Sequence, residues 1–204
     1  MSPPVPKLRK IEQREASDQR MIETAMQLIL SKGVSGLQLT DVGLKAGYSR
    51  GLATMRFGTM GGLLRRLASE MSRKWLDHLN QRVGQKTGMA AVYASVDTLE
   101  ELLASRADHV RIQYLLFFHS IDPGGAHRLN VRQVLLAEQS DLIRWLGQAL
   151  EAGELKDDVD PDQEASAILS SMIGIIYQTM VNPDASPKKM FGKLKRDIQS
   201  RIAR

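Results

Sequence analysis

The chain has 204 residues, of which 43% are hydrophobic and 25% are charged, a balance typical of a globular protein with a buried core. It contains no cysteine, which excludes disulfides, thiolate metal sites and cysteine nucleophiles. No apolar run approaches the roughly 18 residues of a membrane span, and no secretory signal is recognisable. We therefore expect a soluble cytoplasmic protein with no membrane partner.

The net charge of +5 is concentrated in the first part of the chain. Residues 1–82 hold 14 Lys and Arg against 7 Asp and Glu, whereas residues 83–204 hold 14 against 16. This asymmetry indicates a polyanion-binding front part, with nucleic acid as the first candidate and an anionic membrane surface as the second. A solvated basic face without a partner is the alternative.

The spacing of apolar residues is helical nearly throughout and predicts an all-α fold of about nine helices. Residues 1–13, with three prolines beside Lys7, Arg9 and Lys10, are expected to form a flexible basic arm. Breaks at Gly33, Gly58 and other turn residues delimit the helices. The predicted helices are about 14–32, 41–46, 50–57, 60–82, 89–104, 106–121, 126–152, 161–181 and 187–202.

Residues 40–57 form a candidate helix-turn-helix, in which Gly47 makes the turn. Thr40 and Ser49 are expected to cap the two short helices. The second helix would present its N-terminal end to a DNA groove, where Arg50 can reach a phosphate or a guanine edge. The small core expected to fix the two helices consists of Leu39, Val42, Ala46, Tyr48, Ala53 and Phe57.

The segment from Leu39 to Gly58 reads LTDVGLKAGYSRGLATMRFG. Its capping threonine, the Ala-Gly-x-Ser-x-Gly order and the closing Phe57 resemble the DNA-binding signature of the TetR family of transcriptional regulators. The resemblance covers roughly residues 14–70, since the helix ending at Gly33 matches the first helix of that family. It implies a helix-turn-helix DNA-binding domain over residues 14–60 and a helical ligand-binding and dimerisation domain over residues 61–204.

The resemblance also implies a function. A homodimer would bind double-stranded operator DNA as a repressor, and a small-molecule effector in the C-terminal domain would release it. Met55 and Met60 depart from the family, whose members carry hydrogen-bonding or charged side chains there. The DNA-binding residues carried over to this sequence are Thr40, Lys45, Ser49, Arg50, Gly51, Leu52, Thr54, Met55 and Arg56.

The C-terminal part suggests an apolar pocket and a dimer interface. Aromatic and methionine residues on several helices could enclose a cavity for an apolar or amphipathic ligand, with core packing as the alternative. The candidate pocket residues are Met89, Tyr93, Tyr114, Phe117, Phe118, His119, Trp145 and Met172. The resemblance places a two-fold interface on the last two helices, and ordinary burial within one chain is the alternative. The candidate interface residues are Ile168, Met172, Ile175, Ile176, Phe191, Leu194 and Ile198.

No motif supports an enzyme or a cofactor site. The four histidines lack metal-ligand spacing, no serine lies in a Gly-x-Ser-x-Gly elbow, and no glycine-rich phosphate loop is present. We therefore expect no catalysis, no metal and no cofactor. Two alternatives to a regulator remain: a helical protein–protein adaptor with a degenerate helix-turn-helix, and a small-molecule-binding protein without a DNA function.

Overall fold

The computed structural model describes residues 6–122 and 128–204, which form nine helices. Within these residues the only β-type pairing is an isolated bridge between Leu155 and Ala203. The all-α fold predicted from the sequence is confirmed. The helices are α1 Pro6–Lys32, α2 Leu39–Lys45, α3 Arg50–Phe57, α4 Met60–Val83, α5 Gly88–Ser105, α6 Ala107–His119, α7 Arg128–Glu151, α8 Pro161–Val181 and α9 Pro187–Ile202.

Two late helices begin where the sequence predicts because a capping side chain precedes a proline. The Asp160 side chain accepts hydrogen bonds from the backbone N–H groups of Asp162 and Gln163 at the start of α8. Pro161 occupies the first turn, where its missing N–H costs no hydrogen bond. Ser186 caps α9 in the same way. Local chemistry therefore fixes both helix starts.

α1 begins at Pro6, earlier than the predicted start near Arg14. Residues 6–13 of the expected flexible arm are therefore helical, whereas residues 1–5 lie outside the described residues. Pro6 suits the first position of a helix, and the residues that follow it are mostly good helix formers. The prediction gave the proline-rich composition too much weight.

The first compact unit comprises the chain up to Glu70 together with Leu115–Arg128. The two units divide within α4, between Glu70 and Met71, whereas the domains expected from the sequence divide between residues 60 and 61. The first part of α4 buries Leu63, Leu64 and Leu67 as members of the first unit. Within the unit, α2 packs against both α1 and α3. Its fully buried side chains include Met21, Ile22, Ala25, Ile29, Val42, Ala53, Leu63, Leu67 and Leu116.

The second unit comprises Met71–Tyr114 and Leu129–Arg204. α9 packs against α5 and α8. The Tyr93 hydroxyl donates to the Gln199 amide oxygen at 2.7 Å, and Lys195 Nζ lies 2.5 Å from an Asp97 carboxylate oxygen and 3.2 Å from one of Glu100. These polar contacts hold α9 against α5. They lie beside the apolar stripe of α9, whose members are buried: Phe191, Leu194, Ile198 and Ile202.

Candidate DNA-binding surface and ligand cavity

A glycine-containing turn holds α2 and α3 at close range. Gly47 has φ +83°, a left-handed conformation that glycine adopts without strain. Gly43 is buried, and a Cβ there would lie 2.7 Å from the backbone oxygen of Ser49. The Tyr48 N–H donates to the Gly43 carbonyl at 2.9 Å. Any side chain at position 43 would push the start of α3 away from α2.

α3 buries one face and exposes the other. Ala53 is fully buried, as are Val42 and Ala46 of the expected core, whereas Leu39, Tyr48 and Phe57 are half-buried. The opposite side is exposed, and Met55 has an exposed fraction of 71%. We call this side the α3 outer face, and it consists of Arg50, Gly51, Thr54 and Met55.

The predicted capping roles are met only in part. Thr40 does not cap α2, because the Val42 N–H already bonds to the Gln38 carbonyl at 3.1 Å and Thr40 lies inside the first turn. Ser49 occupies the N-cap position of α3 but makes no side-chain capping hydrogen bond. Thr40, Ser49 and Lys45 are all exposed.

Arg56 contacts two residues of α1. Its Nε lies 3.4 Å from an Asp18 carboxylate oxygen, and its Nη2 lies 3.4 Å from the Ser17 hydroxyl. Both charged side chains of this pair are partly buried. The structure gives Arg56 an internal partner on α1, and its expected contact with DNA stays a prediction. Leu52, also expected there, is half-buried.

The second unit contains a small cavity among residues of α4, α5, α7 and α8. Its volume is about 20 Å³, room for about one water molecule. Among the described residues, six of the lining side chains are apolar, three are polar, and none is Lys, Arg or His. The lining residues are Trp75, Leu79, Ser95, Glu138, Asp141, Leu142, Trp145, Leu169 and Met172.

Among the lining residues, Glu138 has a carboxyl pKa well above its ordinary value. Burial raises the pKa of its carboxyl to about 7, and the negative charge of Asp141 acts in the same direction. A contact from the Trp75 indole lowers the pKa in part, although the buried Trp75 Nε1 makes no hydrogen bond of standard geometry. Burial and the charge of Glu138 also raise the pKa of the Tyr114 hydroxyl.

The predicted pocket residues are only partly brought together. Trp145 and Met172 line the cavity, whereas Met89 and Tyr114 are buried without lining it and Tyr93 bonds to Gln199. Three other predicted members belong to the first unit and are not among the lining residues: Phe117, Phe118 and His119.

The sequence-based list of pocket residues lacks one aromatic and two acidic residues that line the cavity: Trp75, Glu138 and Asp141. Trp75 lies on the buried face of α4 beside Met71 and Leu79, and the same side chain also borders the cavity. Glu138 and Asp141 share a helical face with Trp145 at a spacing of three to four residues. Acidic residues on an otherwise apolar helix face were the available signal.

The residues predicted for a dimer interface are buried inside a single chain. All seven side chains, four on α8 and three on α9, have almost no surface left for a partner. The prediction is corrected, since an apolar stripe read from sequence does not distinguish a core from an interface. The side of α8 that remains exposed or half-exposed, here called the α8 outer stripe, is Ala167, Ser170, Ser171, Gly174, Tyr177, Gln178 and Val181.

α8 is also long and apolar enough to cross a membrane, contrary to the expectation that no such stretch exists. Only 28% of its most apolar window is buried, although its other side packs on α9. Tyr177 is 50% exposed and Val181 is 60% exposed. The helix therefore carries more apolar surface than one chain covers.

Neither a protein-family model nor a curated protein matches the chain. Solved structures do match. A TetR transcriptional regulator from Chloroflexus aurantiacus J-10-FL has a TM-score of 0.81 at 17% identity, with 94% of this chain and 98% of that chain covered. The chain has the fold of the TetR-family regulators. At this identity the likeness establishes the TetR fold alone.

Two further TetR-fold structures are similar along nearly their whole length. A putative transcriptional regulator from Saccharomonospora viridis, solved in complex with choline, has a TM-score of 0.80 at 16% identity, covering 93% of this chain and 99% of that chain. SmeT, the repressor of the SmeDEF multidrug efflux pump of Stenotrophomonas maltophilia, has a TM-score of 0.77 at 16% identity, covering 92% and 90%. The resemblance read from residues 39–58 therefore agrees with the fold of the chain.

Proposed function

We propose that the protein is a cytoplasmic transcriptional regulator that binds operator DNA as a homodimer and represses transcription until a small-molecule ligand releases it. The observation that carries this proposal is the α3 outer face, an exposed helix side anchored by a close-packed turn within a TetR fold.

The chemistry of α2 and α3 supports DNA binding. Arg50 is exposed at the start of α3 and can donate to a phosphate or pair with a guanine edge, while the exposed Lys45 supplies a phosphate contact. Thr54 adds a hydroxyl to the same face, and Ser49 has a hydroxyl that the helix cap does not use. Arg56 fixes the helix that presents them.

The α8 outer stripe supports a homodimer. Its small residues at Ala167, Ser170, Ser171 and Gly174 allow two helices to approach closely, and Tyr177 and Val181 supply apolar area beside them. A two-fold contact covers the same stripe on both chains. Binding to a two-fold operator requires the two copies of α3 in the dimer to lie about one DNA turn apart, near 34–36 Å.

The cavity in the second unit supports control by a ligand. A cavity of about 20 Å³ is smaller than any organic effector, so binding requires its walls to move. A ligand shifts the DNA-bound equilibrium only by the difference between its affinities for the two conformations. The movement that admits the ligand is the proposed source of that difference.

A protein–protein adaptor is the second candidate, because Met55 exposes an apolar side chain in the middle of the α3 outer face. An apolar centre suits a protein partner better than a phosphate backbone. This candidate predicts no sequence-specific DNA binding.

Selection from a random pool of DNA duplexes tests the proposal. We expect the full-length protein to enrich a near-palindromic sequence whose binding weakens steeply as salt is raised. Arg50→Ala should fail to enrich it, whereas Arg132→Ala, which removes an exposed arginine on α7, should enrich it normally. Shallow, sequence-independent binding by the unmodified protein would favour the adaptor.

A further inference from the structure

The cavity of the second unit is lined by both tryptophan rings and carboxylates. The chain contains two tryptophans, Trp75 and Trp145, and both line it. Two carboxylates, Glu138 and Asp141, line the same space, and no basic side chain of the part of the chain that the structure describes does so. Aromatic rings and carboxylates both attract a positive charge, the rings through the negative potential of their faces.

The two carboxylates are not equivalent. Asp141 is paired with Arg144, whose Nη2 lies 2.5 Å from an Asp141 carboxylate oxygen. The Arg144 guanidinium carbon also lies 5.3 Å from the ring centroid of Trp145, so this ring already accepts a cation on one face. Among the described residues no cation contributes to the protonation equilibrium of Glu138. Of the two carboxylates, Glu138 is therefore the one without a cationic partner among the described residues.

The indole N–H of Trp75 is a second polar group of the cavity wall, and it lacks a hydrogen-bond acceptor among the described residues. The residue is more than nine-tenths buried, it lines the cavity, and its Nε1 makes no hydrogen bond of standard geometry. Its indole reaches Glu138 only closely enough to favour the ionised carboxylate. A bound cation would keep the Glu138 carboxylate ionised and would therefore strengthen its contact with the Trp75 indole.

We propose that the effector of this protein is an organic cation, a quaternary or bulky tertiary ammonium compound, held by the Glu138 carboxylate and the rings of Trp75 and Trp145. The proposal rests on the proposed function, in which this cavity is the effector site. The apolar side chains of Leu79, Leu142 and Met172 would cover the hydrocarbon groups of the cation. The Glu138 carboxylate would disfavour anionic ligands.

The size of the cavity adds a condition to the proposal. At about 20 Å³ it holds about one water, so an ammonium compound enters only when side chains move aside. Met172 is the lining residue best suited to do this, because its unbranched thioether adopts many rotamers at low cost. Binding is therefore expected to displace α8 residues.

The protonation of Glu138 gives the proposal a pH signature. A permanently charged cation binds only the ionised carboxylate, whose pKa near 7 makes the ionised fraction rise from about one tenth at pH 6 to about nine tenths at pH 8. Apparent affinity should therefore rise about tenfold between these two pH values. A neutral ligand that accepts a hydrogen bond from protonated Glu138 would show the opposite trend.

The charged and titratable groups around Glu138 are Asp141 and Tyr114, whose charges couple to it, and Arg144, which pairs with Asp141. His78 lies on α4 three residues from Trp75. The pH series is repeated on His78→Gln, which separates the contribution of Glu138 from that of the imidazole.

The test measures binding of permanently charged probes by tryptophan fluorescence and calorimetry on the full chain without DNA. The probes are tetramethylammonium, tetraethylammonium and benzyltrimethylammonium, each compared with the neutral isostere in which carbon replaces nitrogen. We expect at least one cation to change the fluorescence and to bind about tenfold or more tighter than its isostere at pH 8. At pH 6 this preference should largely disappear.

Variants identify the groups responsible. Glu138→Gln keeps the shape of the side chain and should abolish both the preference for the cation and its pH dependence, while Glu151→Gln, an exposed carboxylate at the end of α7, should change neither. Trp145→Leu should weaken cation binding at every pH. Unchanged circular dichroism and cooperative melting verify that each variant is folded.

Three results would overturn the proposal: no cation of the set binds, the neutral isosteres bind as tightly, or affinity falls as pH rises. The operator experiments are independent of this test. Operator binding without any preference for cations would refute the proposed ligand class but not the proposed function as a regulator. Cation binding with the expected pH dependence but without operator binding would refute the proposed function but not the ligand class.

Discussion

Arg50 and Arg56 lie six residues apart on α3, yet their environments differ. Arg56 is partly buried against Asp18, whereas Arg50 is exposed and has no ion-pair partner among the described residues. The two side chains were given the same role from sequence, because a helical register alone does not reveal which arginine meets an acidic residue on another helix.

Arg50→Ala is expected to weaken operator binding by about 1–3 kcal/mol if Arg50 reads a base edge. Specificity should relax at the base pair that Arg50 contacts. Fluorescence anisotropy with the selected duplex and its single-base variants measures both effects. Arg132→Ala is the control, and an operator affinity equal to that of the unmodified protein would remove Arg50 from the site.

Glu138 affects stability as well as binding. Its folded pKa of about 7 lies above the ordinary value of 4.5, so the folded state holds the proton more tightly and this group makes the protein less stable as pH rises through that interval. Above pH 7 the cost is complete. Glu138→Gln should therefore be more stable than the unmodified protein by roughly 1–3 kcal/mol at pH 8 and nearly equal at pH 5.

Urea unfolding at the two pH values measures this difference. Glu151→Gln, whose side chain is exposed, should match the unmodified protein at both. A stability of Glu138→Gln that does not vary with pH relative to the unmodified protein would show that Glu138 has an ordinary pKa in the folded state.

At the scale of the element, the pair α2 and α3 depends on one close approach. Gly43→Ala would place a methyl group 2.7 Å from the Ser49 carbonyl oxygen. We expect a net loss of about 1–2 kcal/mol of stability, because overpacking outweighs the better helix propensity of alanine. The shifted α3 should also bind the operator more weakly.

Gly147→Ala on α7 is the matched control, because no atom lies within 4 Å of a Cβ added there. It should gain about 0.5–1 kcal/mol, as expected for an unobstructed helix position. Chemical denaturation compares the two variants, and a Gly43→Ala protein as stable as Gly147→Ala would contradict the close packing of the turn.

α8 provides the second prediction at this scale. Gly174 has open space around an added Cβ within its own chain, so Gly174→Lys should leave the folded chain intact. In the proposed dimer the same lysine would be buried against the partner helix, at a cost of roughly 2–5 kcal/mol. The dissociation constant of the dimer should rise at least about thirtyfold.

Sedimentation equilibrium measures that constant. Gln133→Lys, which adds the same charge at an exposed position of α7, should leave association unchanged. Equal association of Gly174→Lys and the unmodified protein would exclude the α8 outer stripe as the interface.

At the scale of the whole molecule, the fold was largely readable from the sequence. α3, α8 and α9 have the predicted bounds because glycine and proline positions mark their ends. The cavity was not readable, since Trp75 and Glu138 are far apart in the chain and meet only after packing. The interface was misassigned because Ile168 and Ile176 satisfy the same apolar spacing whether a core or a partner covers them.

The mass of the complex formed on the selected duplex, measured by sedimentation velocity, shows directly whether the protein binds its operator as a dimer. A dimeric regulator predicts two 22.7 kDa chains on each duplex, and cutting the palindrome to one half-site should abolish tight binding. One chain per duplex, or equal binding to the half-site and to unrelated sequences, would contradict a dimeric operator-binding protein.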